Sequence, residues 1–69
     1  MQITINGKQA ESTDNVTILE LLKEQKVETP EYVSVELNGE ILDRKDFETI
    51  TVSAGDAIEF LYFMGGGSR

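Results

Sequence analysis

The sequence predicts an α+β fold in which one main helix packs on one face of a mixed four- to five-stranded sheet. Two Asn-Gly pairs each lie between short segments of alternating apolar and polar residues, which is the pattern of a β-hairpin. Between the hairpins, apolar residues recur at intervals of three and four, the spacing of an amphipathic helix. A final apolar segment supplies one more strand, so the chain forms two layers around one core.

The first hairpin is predicted in residues 1–12. Ile3 and Ile5 alternate with polar neighbours, which indicates a strand with one buried face. Asn6-Gly7 then provides the two positive φ angles that a two-residue hairpin turn requires. The returning strand is more polar, so we expect it at an edge of the sheet.

The helix is predicted over residues 18–26, where Ile18, Leu21 and Leu22 form one apolar stripe. Thr17 and Glu20 have the spacing of a capping box, in which two side chains satisfy the free backbone donors of the first turn. Pro30 closes the following connection, because proline cannot continue a helix.

The second half of the chain predicts a hairpin, a helical turn and a final strand. Asn38-Gly39 forms the hairpin turn, and residues 43–48 form a turn of helix with Phe47 pointing inward. Residues 53–56 form a turn before the final strand. The first and last strands are the most apolar, so we expect them side by side at the centre of the sheet.

Composition disfavours several classes of function. A chain of 69 residues forms one domain with a small core and little room for a deep pocket. Its net charge of -7, from 6 basic and 13 acidic residues, disfavours nucleic acid and favours partners with basic surfaces. Neither Cys nor His is present, which removes disulfides, ordinary zinc sites and the commonest general base.

Two further expectations concern location and catalysis. No apolar run resembles a signal peptide or a membrane helix, so we expect a soluble cytoplasmic protein. The acidic residues are spread over turns and polar faces, so we predict no catalytic or metal site among them. The turn carboxylates interpreted in this way are Asp43, Asp46, Glu48 and Asp56.

The final strand also predicts a partner surface. Its residues alternate, with Ile58, Phe60, Tyr62 and Met64 in one phase and Glu59, Leu61 and Phe63 in the other. If the helix covers the first phase, Leu61 and Phe63 face outward, and exposed apolar side chains that form a patch mark a contact site. We expect Tyr32 to join this surface. The alternative is that a loop covers these side chains.

A glycine-rich tail follows the final strand. The chain therefore divides into a domain, residues 1–64, and a flexible tail, residues 65–69. The tail consists of Gly65, Gly66, Gly67, Ser68 and Arg69. Glycine backbone can enter a channel too narrow for other residues, and three extended residues reach roughly 10 Å. We interpret the tail as a handle that enters the active site of a partner; an inert flexible end is the alternative.

Five segments together resemble the ThiS family, the ubiquitin-like sulfur carriers of thiamine biosynthesis. They are MQITING at the start, TILELL in the helix, VELNGEILDR in the second hairpin, AGDAIEF before and in the last strand, and the terminal GGG. The resemblance extends to Gly67. It implies the β-grasp (ubiquitin-like) fold and the strand order of that fold.

The resemblance also implies a mechanism. In the family, an E1-like adenylyltransferase uses ATP to activate the carboxylate of the last glycine, which becomes a thiocarboxylate that supplies sulfur to thiazole synthase. Gly66 and Gly67 match the closing pair of the family, so Gly67 would be the modified residue. A sulfurtransferase is a further implied partner. The chain would then bind no cofactor, carry no catalytic residue and act as a protein co-substrate instead of an enzyme.

The sequence departs from the family pattern at its end, because Ser68 and Arg69 follow the closing glycines. We expect a processing protease to remove them before activation. Two alternatives stay open. The chain is a sulfur carrier for another pathway, such as molybdopterin or cysteine synthesis, or it is a β-grasp interaction module whose tail is inert.

Overall fold

The computed structural model describes residues 1–27 and 30–62. Its helix and strands are β1 Gln2–Ile5, β2 Lys8–Glu11, α1 Ile18–Glu24, β3 Val33–Leu37, β4 Glu40–Ile41 and β5 Ala57–Tyr62. Two short 3₁₀ turns, Pro30–Tyr32 and Arg44–Asp46, precede β3 and follow β4. Within these described ranges, no helix has the length and apolar character needed to span a bilayer.

The strands form one mixed sheet in the order β2-β1-β5-β3-β4. β1 and β5 run parallel, while the pairs β1–β2, β3–β5 and β3–β4 are antiparallel. The predicted neighbours β1 and β5 are confirmed, and the polar strand β2 lies at an edge as expected. This arrangement confirms the α+β prediction, with five strands and one main helix.

Both predicted hairpin turns are confirmed by their backbone angles. Asn6 and Gly7 have φ values of 52° and 83°, and Asn38 and Gly39 have values of 51° and 89°. Two consecutive positive φ angles define the turn whose twist matches that of paired strands. Asparagine is several-fold enriched in this backbone region compared with most other residues that carry a Cβ.

Helix α1 begins where the sequence predicts. Glu20 N–H donates to Thr17 Oγ1 at 3.1 Å, and Thr17 N–H donates to Glu20 Oε1 at 2.9 Å, so the capping box is complete. The two remaining donors of the first turn, on Ile18 and Leu19, reach the carbonyls of Ile50 and Phe47. These bonds fix the helix to the segment that leads to β5.

Helix α1 ends two residues earlier than predicted. Lys26 adopts a left-handed conformation with φ of 58°, and its N–H donates to the carbonyl of Lys23. Val27 N–H donates to the carbonyl of Leu22 at 3.0 Å. This pair of bonds is a Schellman motif, which satisfies the last helical carbonyls but places a lysine where glycine is the usual residue. No glycine marks that helix end in the sequence.

The core lies between α1 and one face of the sheet. Its buried apolar residues are Ile3, Val16, Ile18, Leu21, Leu22, Val33, Val35, Phe47, Val52, Ile58 and Phe60. Phe47 is only 4% exposed, as predicted for the turn after β4. Arg44 lies over the Phe47 ring, 5.4 Å from its centre, and donates to the carbonyl of Val33 at 2.8 Å. The second 3₁₀ turn is thereby fixed to β3.

The expectation that Tyr62 is covered together with Ile58 and Phe60 is wrong. Tyr62 has the predicted phase, opposite the buried Val33, but it is 49% exposed. Seven residues of α1 span about 10 Å, whereas six residues of β5 span about 20 Å. The helix is therefore shorter than β5, and Tyr62 occupies the last position of the strand.

Candidate functional site

The candidate site is the end of β5 and the open sheet face beside it. β5 ends at Tyr62, so the residues that follow along the chain start from this point. Several predicted site residues lie outside the described ranges, namely Phe63, Gly65, Gly66, Gly67, Ser68 and Arg69, as does Met64. Their predicted roles therefore stay predictions.

Two asparagines hold β5 in place from opposite sides. On the β1 side, Asn6 N–H donates to the carbonyl of Ile58 and Asn6 Oδ1 accepts from Phe60 N–H, both at 2.9 Å. On the β3 side, Asn38 N–H donates to the carbonyl of Ala57 at 2.7 Å, and Asn38 Oδ1 accepts from Ala57 N–H at 2.9 Å. Each turn residue thus extends the hydrogen bonding of its own strand and holds β5 between β1 and β3.

A second pair of bonds anchors the beginning of β5. Asn38 Nδ2 donates to Asp56 Oδ1 at 3.1 Å, and Asp56 Oδ2 accepts from Ser53 N–H at 2.8 Å. Asp56 is therefore a structural residue of the turn before β5, as the sequence predicts. The amide of Asn38 and the carboxylate of Asp56 join the second hairpin to this turn.

The sheet face opposite α1 is the open face. Residues opposite each other in paired strands share a face, so the register assigns its members. The strand positions on the open face are Gln2, Thr4, Gln9, Glu11, Ser34, Glu36, Ile41, Ala57, Glu59 and Leu61. These positions include three carboxylates and no basic side chain.

The structure brings two of the predicted partner-surface residues to one end of the β3–β5 pair. Leu61 lies on the open face, opposite Ser34, and is 38% exposed. Tyr32 lies in the 3₁₀ turn directly before β3 and is 60% exposed. Both are accessible at the end of the sheet from which the tail departs.

Sequence reasoning missed one exposed apolar residue and one charge pair on the open face. Ile41 is 63% exposed and lies opposite Glu36. Its position follows from the two-residue turn at Asn38-Gly39, so the hairpin signal could have revealed it. Glu36 also lies opposite Glu59. No local signal gives that pairing, because it depends on the register between β3 and β5.

The described residues offer little for catalysis. They contain no group of three or more side chains suited to hold a metal ion. The pKa of the Glu24 carboxyl is lowered, because the hydroxyls of Thr13 and Ser12 donate hydrogen bonds to it. Glu24 links α1 to the segment after β2, so this shift reflects a structural contact.

A shallow cleft lies on the helix side of the molecule. It has a volume of about 420 Å³ between α1 and the second 3₁₀ turn. Its floor is apolar and its rim carries Glu31, Arg44, Lys45 and Glu48. The described residues that line the cleft carry no hydroxyl, thiol or imidazole, so they offer no arrangement of nucleophile and base.

Comparison with known proteins decides the family. The family model described as ThiS family matches residues 3–67, nearly the whole chain. The chain belongs to the ThiS family. The match includes the three glycines of the tail and confirms the resemblance seen in the sequence.

Solved structures agree with this assignment. The chain is similar to the crystal structure of the thiamine biosynthesis protein (ThiS) from Geobacter metallireducens, with 52% identity and a TM-score of 0.87, covering 97% of this chain and 100% of that chain. The NMR solution structure of the Geobacter metallireducens protein gives 51% identity and a TM-score of 0.80, covering 100% and 91%. The β-grasp fold is therefore confirmed.

A curated relative adds a different kind of similarity. The chain is 35% identical over 68 residues to the thiazole synthase of Paramagnetospirillum magneticum. The match covers 99% of this chain but only 21% of that protein. The chain thus spans about a fifth of the length of this relative, in which a ThiS-like segment is part of a longer polypeptide.

Proposed function

We propose that this protein is a sulfur carrier of thiamine biosynthesis whose C-terminal glycine, Gly67, is converted to a thiocarboxylate. The match of the ThiS family model to residues 3–67 is the observation that carries the proposal, because it includes the tail as well as the domain. The Asn6 and Asn38 contacts support it physically, since they hold β5, the strand that leads to the tail, between its two neighbours.

The chemistry explains why the tail needs a partner enzyme. A carboxylate is a poor electrophile. In the proposed reaction, the Gly67 carboxylate attacks the α-phosphorus of ATP and releases pyrophosphate, which leaves an acyl-adenylate with AMP as leaving group. A persulfide on a sulfurtransferase then displaces AMP and forms an acyl disulfide. A second thiol attacks the donor-side sulfur of that disulfide, which breaks the S–S bond, releases the Gly67 thiocarboxylate and leaves a disulfide between the two thiols. The E1-like adenylyltransferase supplies the ATP site and the catalytic groups.

The carrier itself supplies a reacting terminus and a surface. In this role the chain is a protein co-substrate, and the catalytic groups belong to its partner enzymes. Thiazole synthase is the proposed acceptor of the sulfur. The curated relative supports this partner, because a protein named thiazole synthase contains a ThiS-like segment in its own polypeptide.

Processing of the end is part of the proposal. A chain ending at Arg69 would place a long charged side chain where the partner's channel accepts glycine. We therefore propose that a protease removes Ser68 and Arg69 before activation. The two-residue overhang after the glycines is the observation behind this step.

Reconstitution with the adenylyltransferase, ATP and a sulfur source tests both steps. Three purified chains are compared by intact mass: one ending at Gly67, the full chain ending at Arg69, and a chain ending at residue 67 with Gly67→Val. We expect the mass increase for replacement of one oxygen by sulfur only in the first chain. Equal reaction of the full chain would overturn the processing step, and no reaction of any chain would overturn the carrier function.

The partner surface has its own test. Leu61→Asp places a charge at a 38% exposed apolar position on the open face, next to the start of the tail. We expect about a tenfold loss of affinity for the adenylyltransferase, which equals about 1.4 kcal/mol, with little change in melting temperature. Strong unfolding of this variant would show instead that Leu61 is a core residue. Phe63→Asp is expected to behave in the same way.

A further inference from the structure

We propose that the carboxylate pair Glu36–Glu59 binds a basic side chain of the ATP-dependent enzyme that adenylates the tail, and that this side chain is seated between Ile41 and Leu61. The proposal deepens the proposed function and rests on it. The four residues form one continuous surface on the open face, called here the acidic saddle.

The register gives the acidic saddle its dimensions. Ile41, Glu36 and Glu59 lie side by side on β4, β3 and β5. Neighbouring strands are about 4.8 Å apart, so this row is about 10 Å wide. Leu61 lies two residues farther along β5, about 7 Å from Glu59. Two exposed apolar side chains thus flank two adjacent carboxylates.

This arrangement is unfavourable for the free protein. Like charges directly opposite each other in paired strands are destabilising. No basic side chain occupies an open-face strand position, and the ion pairs between described residues that the structure contains join the terminal ammonium to Glu11 and Asp14. Among the described residues, the pair therefore has no opposite charge on its own face, and it is suited to a cation from another molecule.

The position of the saddle favours the adenylating enzyme as the source of that cation. Gly67 is the fifth residue after Tyr62, which limits its distance from the end of β5 to about 17 Å. An enzyme that binds ATP places Arg or Lys around the phosphates, since these side chains pair with phosphate oxygens. The surface around such a site is basic, and the saddle must dock within one tail length of it. Charge complementarity at this distance favours the enzyme over a second copy of this acidic chain.

The experiment measures binding of the adenylyltransferase to the chain ending at Gly67 and to its variants. The variants are Glu59→Gln, the double variant Glu36→Gln/Glu59→Gln, and the control Glu48→Gln, whose exposed carboxylate lies at the cleft beside α1. Dissociation constants are measured over a series of salt concentrations, together with the melting temperature and the rate of thiocarboxylate formation at saturating enzyme.

We expect the double variant to bind about tenfold more weakly at low salt, with a smaller salt dependence, because it removes a charge contact at the interface. Its melting temperature should be equal or higher, since the like-charge pair is relieved. Its rate at saturation should equal that of the native chain. The control Glu48→Gln should bind like the native chain. Because this variant also removes a negative charge, the comparison separates a local contact from the effect of net charge.

Two outcomes would overturn the proposal. Either the double variant binds like the native chain, or the control loses as much affinity as the double variant. The single variant Glu59→Gln keeps the test valid if Glu36, which is half-buried, is needed for folding. Failure of the carrier function would be recognised separately. In that case the native chain would form no thiocarboxylate at saturating enzyme, whatever dissociation constants the variants have.

Discussion

Ile58 and Leu61 lie three residues apart on β5 and are 1% and 38% exposed. The first belongs to the face that α1 covers, where apolar side chains meet in the core. The second belongs to the open face, where carboxylates and exposed apolar residues alternate. One strand thus serves stability on one side and recognition on the other, and mutations on the two sides should have separable effects.

The largest expected effect comes from that comparison. Ile58→Ala removes buried methyl groups and leaves a cavity, so we expect a loss of about 2–5 kcal/mol in the free energy of unfolding. Leu61→Ala should cost less than about 1 kcal/mol, because its side chain is partly in water already. Denaturant unfolding of both variants measures the difference. Similar losses for the two residues would refute the division into a stability face and a recognition face.

The next effect concerns the asparagine that joins the second hairpin to β5. Asn38→Asp keeps the oxygen that accepts from Ala57 N–H but replaces the amide donor to Asp56 with a carboxylate. We expect a loss of about 1–2 kcal/mol at neutral pH, from one broken hydrogen bond and one new repulsion. Urea unfolding at pH 7 provides the measurement.

A second substitution controls this result. The double variant Asn38→Asp/Asp56→Asn exchanges the two side chains. The amide nitrogen now at position 56 can donate to the carboxylate at position 38, and the amide oxygen at position 56 can accept from Ser53 N–H. We therefore expect the double variant to recover most of the lost stability. Additive losses in the double-mutant cycle would show that Asn38 and Asp56 act independently.

A smaller effect of opposite sign is expected at the end of α1. Lys26 occupies the left-handed position of a Schellman motif, where a residue with a Cβ is strained. Lys26→Gly should raise the free energy of unfolding by about 0.5–1 kcal/mol. Lys23→Gly is the matched control, since position 23 is helical and glycine should destabilise it. A loss of stability in both variants would contradict the assigned helix stop.

The smallest effect depends on pH. Hydrogen bonds from Thr13 and Ser12 hold the pKa of Glu24 below its ordinary value. A lowered pKa in the folded state means that the carboxylate adds stability above the unfolded pKa, and that this contribution is lost as pH falls through the folded pKa. The native chain should therefore lose more stability than Glu24→Gln between pH 5 and about pH 3. If the free energies of unfolding of the native chain and Glu24→Gln fall equally with pH, Glu24 does not contribute to this pH dependence.

Local chemistry explains which parts of the fold could be predicted. The capping box at Thr17 and the two Asn-Gly turns involve residues close in sequence, so their patterns fixed the helix start and both hairpins. The stop at Lys26 was missed, because a lysine in the left-handed region gives no glycine signal. The exposure of Tyr62 was missed because it depends on how far α1 extends over β5.

The candidate site divides in the same way. Leu61 could be placed on the open face from its phase along one strand. The Glu36–Glu59 pair could not, because two strands far apart in sequence must first be aligned. The side chains of Asn6 and Asn38 act on β5 for the same non-local reason, although their turns were predicted correctly.

The central claim is that the tail of this protein carries sulfur on Gly67. The most direct measurement is the intact mass of the untagged protein isolated from its own cells. We expect a chain ending at Gly67, part of it with sulfur in place of one oxygen. A chain still ending at Arg69, without sulfur even after incubation with ATP, a sulfur source and the adenylyltransferase, would contradict it and leave a β-grasp interaction module.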